Sequence, residues 1–128
     1  MASIRKEIVV SSSPEQVWDA MRDVGALHTR LVPGFVVDCR VENGTRFVTF
    51  ANGMTAKEII LDVNDRDRRI AWSAAGGPLT HYNASAQVFS DGGGSRIVWI
   101  ADLLPNEMAT PIGGMIEQGL AAMKKVFG

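Results

Sequence analysis

Six stretches with a two-residue period follow one another between residues 35 and 104, separated by short turns rich in Gly, Asn or Asp. A period of two indicates strands, and turns this short join antiparallel neighbours. Asn43-Gly44 is typical of a two-residue hairpin turn with positive φ at both positions. The pattern therefore predicts an antiparallel meander, with strands over 35–42, 45–51, 54–63, 68–75, 79–89 and 95–104.

Helical signals lie between a first strand, predicted over residues 3–11, and this meander. Ser13-Pro14-Glu15-Gln16 combines a hydroxyl cap, Pro at the first helical position and Gln three residues after the cap, which together predict a helix start. A second short helix is predicted over 26–31, before Pro33-Gly34 breaks the chain. Two short helices thus separate the first strand from the rest of the sheet.

A long helix is predicted at the C-terminus, with Thr110 as its cap and Pro111 at its first position. Its apolar residues recur at spacings of three and four, which indicates one buried stripe. That stripe comprises Ile112, Met115, Ile116, Gly119, Leu120, Met123 and Phe127. The helix also contains Gly113, Gly114 and Gly119, and each Gly costs about 1 kcal/mol relative to Ala in a helix interior. We interpret these glycines as allowing close approach of another element or leaving room for a ligand.

Bulk composition limits the classes of protein. At 128 residues and 46% hydrophobic, the chain fits one domain, 1–128, able to fold without disulfides or metal. Thirteen basic and fourteen acidic residues nearly cancel, which argues against nucleic acid as a partner. The single Cys39 forms no internal disulfide, so we expect a cytoplasmic location. No apolar run reaches the roughly 20 residues of a membrane span, so no membrane insertion is expected.

The inward faces of the meander alternate large and small side chains. Around the last turn, Asp91 to Gly94, the predicted pairs are Val88 with Ile97, Ala86 with Trp99, Ala84 with Ala101, and Tyr82 with Leu103. Trp72 also points inward by alternation, whereas His81, Asn83, Ser85, Gln87, Arg96 and Asp102 form the solvated face. In the first hairpin Val37 is predicted to face Phe50. A curved sheet of this kind, closed by a Met-rich helix, predicts an apolar space between them.

Two registers are open for the strand that carries Glu58. A strict two-residue turn at Asn52-Gly53 points Lys57, Ile59, Leu61 and Val63 inward and Glu58 to water. A bulge or an odd-length loop instead places Glu58 beside Arg46 inside the sheet. There the pair can hold a polar ligand group, with Glu58 the best candidate for a general base, or serve as a structural ion pair.

Each of the other candidate residues has a structural interpretation as well as a functional one. Tyr82 can donate to a ligand carbonyl or pack in the core with its hydroxyl in water. Trp72, Trp99 and the Met stripe suit both core packing and an adaptable binding surface. His28 and His81 have no partners spaced as metal ligands, and no nucleophile elbow or phosphate loop is present. We expect neither metal nor cofactor.

The order of elements resembles the helix-grip fold of the START/Bet v 1-like superfamily. More narrowly, SSSPEQVWDAM, the Arg46 and Glu58 pair flanking FANG, THYNASAQV and SRIVWIADLLP resemble the polyketide cyclase/dehydrase and lipid-transport branch. The resemblance covers nearly the whole chain and favours the register with Glu58 inside. It implies an α+β fold of about seven strands around a long C-terminal helix. It also implies a cavity that holds a sterol, lipid, hormone or aromatic polyketide.

Likeness to plant abscisic-acid receptors places Glu58, Tyr82, Ala84 and Trp99 on ligand-contacting strands. The set of candidate ligand-binding residues is Arg46, Phe50, Glu58, Trp72, Tyr82, Ala84, Trp99, Met115, Gly119 and Met123. We therefore predict binding of a small hydrophobic molecule with one polar group. The alternatives are a polyketide cyclase-like enzyme that positions its substrate, and an interaction module of the chaperone-associated type. Whether any reaction is catalysed is left open, as is a homodimer.

Overall fold

Seven antiparallel strands form one sheet in the order β1-β7-β6-β5-β4-β3-β2 in the computed structural model, which describes residues 1–128. The strands are β1 (Ala2–Val10), β2 (Val36–Glu42), β3 (Thr45–Phe50), β4 (Thr55–Asn64), β5 (Arg69–Ala75), β6 (His81–Asp91) and β7 (Gly94–Leu104). The helices are α1 (Pro14–Arg22) and α2 (Ala109–Phe127), with a π-helical turn at Leu27–Leu31 and a 3₁₀ turn at Asn106–Met108. The predicted α+β helix-grip arrangement is confirmed.

The first helix begins where its sequence signal predicts. The Ser13 hydroxyl accepts a hydrogen bond from the Gln16 backbone N–H at 3.2 Å, and the Gln16 side chain accepts one from the Ser13 N–H at 3.1 Å. This reciprocal pair satisfies two N–H groups that would otherwise lack partners. Val17, Trp18 and Met21 form its buried face. The second predicted helix exists as the π-helical turn Leu27–Leu31.

The β2–β3 hairpin turns at Asn43-Gly44, with φ of 51° and 77°. Cys39 pairs with Val48 and Val41 with Arg46, as predicted. The predicted pairing of Val37 with Phe50 is wrong, because a bulge between Val36 and Asp38 makes Val36 the partner of Phe50. The extra residue of a bulge leaves the regular ladder, and Val37 is accordingly exposed.

The β6–β7 hairpin has the predicted register, including Tyr82 with Leu103 and Ala86 with Trp99. Its turn is shorter than predicted, since Asp91 and Gly94 still pair and only two residues lie between them. Ser85 also differs from its predicted place on a solvated face, because it is buried. It pairs with Ile100 on one side and Ala71 on the other, in the middle of the sheet.

The C-terminal helix starts two residues earlier than predicted, at Ala109. Met108 occupies its N-cap position, with no side-chain hydrogen bond to the first turn, so Thr110 lies within the helix and does not cap it. The predicted stripe is largely confirmed, since Ile116, Gly119, Leu120, Met123 and Phe127 are all buried. No helix in the structure is both long and apolar enough to cross a bilayer.

Candidate functional site

An apolar cavity of about 480 Å³ lies between the concave face of the sheet and α2. Of the 30 residues that line it, 23 are hydrophobic, a composition typical of small-molecule sites. The π-helical turn contributes Leu27 and Leu31, the β5–β6 loop contributes residues 76–79, and α2 contributes Ile112, Met115, Ile116 and Met123. The space predicted from the sequence is therefore present and is large enough for a small organic molecule.

One ion pair lies inside this apolar wall. Arg46 and Glu58 face each other across β3 and β4, and Arg46 Nε and Nη2 lie 2.8 and 2.7 Å from Glu58 Oε1. Arg46 Nη1 donates to the Val24 carbonyl at 3.4 Å, and the guanidinium carbon lies 5.6 Å from the centre of a Trp72 ring. The Arg46 side chain is 4% exposed and that of Glu58 is 12% exposed. Such charges are tolerated in an apolar setting only when paired.

The inward position of Glu58 follows from the turn that precedes β4. The Phe50 N–H donates to the Met54 carbonyl at 2.8 Å, so the connection has three residues, with Gly53 at φ 89°. An odd loop length reverses the alternation expected from a two-residue turn. Glu58 therefore faces the cavity, and Ile59 and Leu61, inward in the other register, lie on the convex face with 50% and 54% exposure.

Tyr82 presents its phenol to the same cavity from β6 and is buried. Burial and the nearby Glu58 carboxylate raise the pKa of the Tyr82 phenol well above its usual value, because both disfavour the phenolate. Ala74 stands on β5, the strand between Glu58 and Tyr82, and is the direct partner of Glu58. A methyl group at this position leaves the space between the two polar side chains open.

Trp72 and Trp99 meet above β6. Their strands, β5 and β7, flank β6, yet the ring centres are only 5.8 Å apart, at 66°. Two strand spacings amount to about 10 Å, so both indoles must lean over the small Ala84 and Ala86. The two indoles line the cavity in this edge-to-face arrangement, which aromatic pairs prefer.

Gly119 lets α2 approach this aromatic wall. A Cβ atom at Gly119 would lie 2.8 Å from Trp99 Cζ3 and 3.3 Å from Phe35 Cε2. The helix can therefore rest against the indole only with glycine here. By contrast, a Cβ at Gly114 would meet nothing within 4 Å, so this glycine is not required by close packing.

The structure brings most of the predicted ligand-binding residues together, and their role in binding stays a prediction. Eight of them line the cavity: Arg46, Phe50, Glu58, Trp72, Tyr82, Trp99, Met115 and Met123. Ala84 and Gly119 do not line it. Ala84 lies in β6 between the strands of the two indoles, and Gly119 lies against Trp99, so both act on the shape of the wall.

Several lining residues were missed by the sequence reasoning. Phe35 forms an edge-to-face pair with Phe50, with centres 5.3 Å apart. The sequence pattern predicts residues 76–78 only as a turn, Leu79 only as the start of a strand, and Leu27 and Leu31 only as part of a short helix. The apolar side chains of these residues indicate burial. Hydrophobic periodicity, however, predicts neither the bulge at Val37 nor the path of a loop.

Lys57 also borders the cavity but is exposed, whereas His28, His81 and Cys39 lie outside the cavity lining. His28 and His81 are both half-buried, and no group of three His, Cys, Asp or Glu side chains is arranged to hold a metal ion. Cys39 lies 3.6 Å from the Val24 carbonyl, and burial raises the pKa of its thiol, which makes it a weak nucleophile. The buried acid–base candidates of the cavity are therefore Glu58 and Tyr82.

Comparison with known families gives one match over the whole chain. A family model described as "Polyketide cyclase / dehydrase and lipid transport" matches residues 1–128. A search of curated proteins finds no significant match.

Solved structures share the fold at low sequence identity. The protein XoxI from Bacillus cereus is 23% identical, with a TM-score of 0.88 over 99% of this chain and 96% of that one. Norcoclaurine synthase from Thalictrum flavum, in complex with dopamine and hydroxybenzaldehyde, is 20% identical, with a TM-score of 0.71 over 98% and 85%. The di-domain ARO/CYC BexL from the BE-7585A biosynthetic pathway is 16% identical, with a TM-score of 0.82 over 98% of this chain and 46% of BexL.

Proposed function

Because the chain belongs to the polyketide cyclase / dehydrase and lipid transport family, we propose that it binds a small hydrophobic molecule carrying one polar group in the cavity beneath α2. The observation that supports this most directly is the cavity of about 480 Å³ with an ion pair and a phenol in an otherwise apolar wall. Burial of the ligand's apolar surface contributes about 25 cal/mol per Å². The polar groups orient the ligand.

The aromatic side chains favour a flat ligand. Two edge-to-face pairs, Phe35–Phe50 and Trp72–Trp99, line the cavity, and aromatic rings pack well against such walls. The structural likeness to norcoclaurine synthase, whose complex holds two small aromatic molecules, supports an aromatic ligand more than a long acyl chain. A reducing, cytoplasmic location, suited to the free thiol of Cys39, is part of the same proposal.

A cyclase-type reaction is a second candidate, and Glu58 is the observation that favours it. Its Oε1 holds Arg46, whereas Oε2 makes no hydrogen bond. This free oxygen can accept a proton from a carbon between two ketones, while the Tyr82 hydroxyl donates to the carbonyl that becomes an enolate. The likeness to an ARO/CYC protein points to the same chemistry. In that case positioning of a flexible substrate contributes most of the rate.

The binding proposal is tested with N-phenyl-1-naphthylamine, a neutral fluorescent probe, and with native mass spectrometry of the purified protein. We expect saturable fluorescence enhancement and a melting temperature that rises with probe concentration. Ala74→Leu fills the space between Glu58 and Tyr82 and should weaken binding at least about tenfold. Ala71→Leu places the same side chain on the opposite face of β5 and should leave binding unchanged.

Failure has a clear signature. If the probe does not bind, no co-purified molecule is detected, and a broad panel of apolar compounds leaves the melting temperature unchanged, the binding function is wrong. Equal losses in Ala74→Leu and Ala71→Leu would place the probe outside the cavity. Turnover of a polyketone that disappears in Glu58→Gln while binding persists would establish the cyclase alternative.

A further inference from the structure

The buried cationic group of the cavity is already paired with the protein at each of its nitrogens. Three of the five N–H donors of Arg46 are used, those of Nε and Nη2 on Glu58 Oε1 and that of Nη1 on the Val24 carbonyl. A buried arginine in an apolar pocket commonly indicates carboxylate recognition. Here the protein supplies that carboxylate itself, and the ion pair is already neutral as a unit.

Lys57 and Thr55 also border the cavity but are exposed, so the unpaired polar atoms inside it are of a different kind. Glu58 Oε2 accepts no hydrogen bond from the protein and still has accessible surface. It is an acceptor that carries negative charge. A ligand carboxylate near it would be repelled and would place a third charge in an apolar wall, whereas a hydroxyl donor would satisfy it.

One accessible donor completes the set, the Tyr82 hydroxyl, and the indole N–H of Trp99 lies beside it. Trp99 Nε1 is fully enclosed and makes no hydrogen bond of acceptable geometry, although it lies near enough to the Tyr82 oxygen to favour the phenolate slightly. Leaving such a donor unpaired costs about 1–3 kcal/mol, so each exception calls for an explanation. The Tyr82 hydroxyl donates to no protein acceptor, and its raised pKa keeps its proton in place.

We infer that the ligand's polar group is a neutral hydroxyl on an aromatic ring, which donates to Glu58 Oε2 and accepts from the Tyr82 hydroxyl. This inference rests on the proposed binding function and names the ligand class. A phenol fits because one oxygen both donates and accepts, and because its ring packs between the aromatic pairs. Aromatic carboxylates of the same shape are excluded by Glu58, despite the presence of Arg46.

Three ligands of one shape test this inference: 2-naphthol, 2-methoxynaphthalene and 2-naphthoate. Isothermal titration calorimetry at neutral pH, where 2-naphthol is uncharged, measures their dissociation constants on the intact protein. A hydrogen bond to a charged group contributes enough to change affinity by about tenfold or more. We therefore expect 2-naphthol to bind at least about tenfold more tightly than either the methyl ether, which cannot donate, or the carboxylate.

Two variants locate the preference. Glu58→Gln removes the negative charge and releases Arg46, so the order should reverse, with 2-naphthoate binding more tightly than 2-naphthol. Tyr82→Phe removes the hydroxyl donor and should weaken 2-naphthol several-fold. Trp18→Phe is the control for an aromatic substitution outside the cavity lining, because Trp18 donates to Asp65 at 3.0 Å. Circular dichroism establishes that each variant is folded.

A measurement on the unsubstituted protein does not depend on the variants. The Tyr82 hydroxyl and the Trp99 indole N–H should each shift in the NMR spectrum when 2-naphthol binds, with the indole signal moving further than those of Trp18 and Trp72. The inference is overturned if 2-naphthoate binds as tightly as 2-naphthol, or if the methyl ether does. It also falls if N-phenyl-1-naphthylamine binds and 2-naphthol does not. If neither binds, the inference is overturned. If in addition no co-purified molecule is detected and the panel of apolar compounds leaves the melting temperature unchanged, the proposed binding function fails with it.

Discussion

The two ends of the space between the sheet and α2 are built differently, although both are lined by apolar residues. At the closed end the side chains fill the interior, and none of them borders the cavity. This end comprises Val10, Val17, Val88, Ile97, Leu120 and Phe127. The open end surrounds the cavity with half-buried or exposed groups: Met54, residues 76–79, Met108, Ile112 and Met115.

The two halves of α2 repeat this contrast. Its C-terminal half is fixed by polar contacts to the end of β1: Lys124 Nζ donates to the Val9 carbonyl at 2.7 Å, and Ser12 Oγ to the Phe127 carbonyl at 2.8 Å. Its N-terminal half has no side-chain cap and contains Gly113-Gly114. The apolar stripe is continuous along the helix, but only one half has partners that fill the space beneath it.

This difference separates stability from binding. Closed-end side chains touch others on all sides, so each contributes both its transfer free energy and its packing contacts. Open-end side chains face a void that a ligand can fill, so they contribute less to the protein alone. Truncations of similar size at the two ends should therefore lower the free energy of unfolding by different amounts, with the larger loss at the closed end.

The largest effect is expected at Ile97, which is 0% exposed. Ile97→Ala should lower the free energy of unfolding by about 2–5 kcal/mol, because it removes buried methyl groups and leaves a new void. Met115→Ala at the open end should cost about 1 kcal/mol, since its side chain already borders empty space. Urea unfolding followed by circular dichroism measures both. Equal losses would show that the two ends are packed alike.

A smaller and opposite pair of effects is expected at two glycines of α2. Gly119→Ala should destabilise the protein by about 1–3 kcal/mol, because its Cβ would lie 2.8 Å from Trp99. Gly114→Ala should stabilise it by up to about 1 kcal/mol, because alanine favours the helix and meets no neighbour. Thermal unfolding of the two variants distinguishes them by the sign of the change. A loss at Gly114 would mean that the open end is less spacious than the cavity suggests.

The smallest effect is a dependence of the free energy of unfolding on alkaline pH. It measures how well water is excluded from the open end of the cavity. Burial raises the pKa of the Tyr82 phenol, so the native state keeps a proton that the unfolded chain releases above about pH 10. The free energy of unfolding should fall as pH rises beyond that value, by at most about 1.4 kcal/mol per pH unit. Tyr82→Phe should remove this part of the slope.

Cys39 is the control for this measurement, because burial raises the pKa of its thiol as well and acts in the same direction. The titration is therefore best made with a Cys39→Ala background. The chain has a single tyrosine, so tyrosinate absorbance follows Tyr82 directly. Formation of tyrosinate near pH 10 in the folded protein would show that water reaches the phenol freely.

Local patterns in the sequence predicted most of the fold. The Ser13–Gln16 capping box and the Asn43-Gly44 turn have the expected geometry, because both depend on a few neighbouring residues. The alternation of large and small residues predicted the β6–β7 register and the inward direction of Trp72. Val37 was misplaced because a bulge changes the register without an equally local signal.

Glu58 marks the limit of what a sequence pattern can determine. The apolar alternation of Ile59, Leu61 and Val63 favours one register, and family resemblance favours the other. The three-residue connection after Phe50 gives the second. That choice depends on the ion pair with Arg46 and on the packing of β3 and β4 beneath α2. These two strands are far from α2 in the chain and face it across the cavity only in the folded state.

The sequence by itself determined the elements, their order and which faces are apolar, because caps, turns and periodicity act over a few residues. Only the tertiary structure decided that Trp72 and Trp99 meet above Ala84, that Gly119 admits the Trp99 ring, and that the space beneath the N-terminal half of α2 stays empty. The physical reason is that a cavity is the space enclosed by the sheet and the helix minus the volume of the side chains that enter it. These side chains come from segments that are distant in the sequence, so no single stretch of chain determines the cavity.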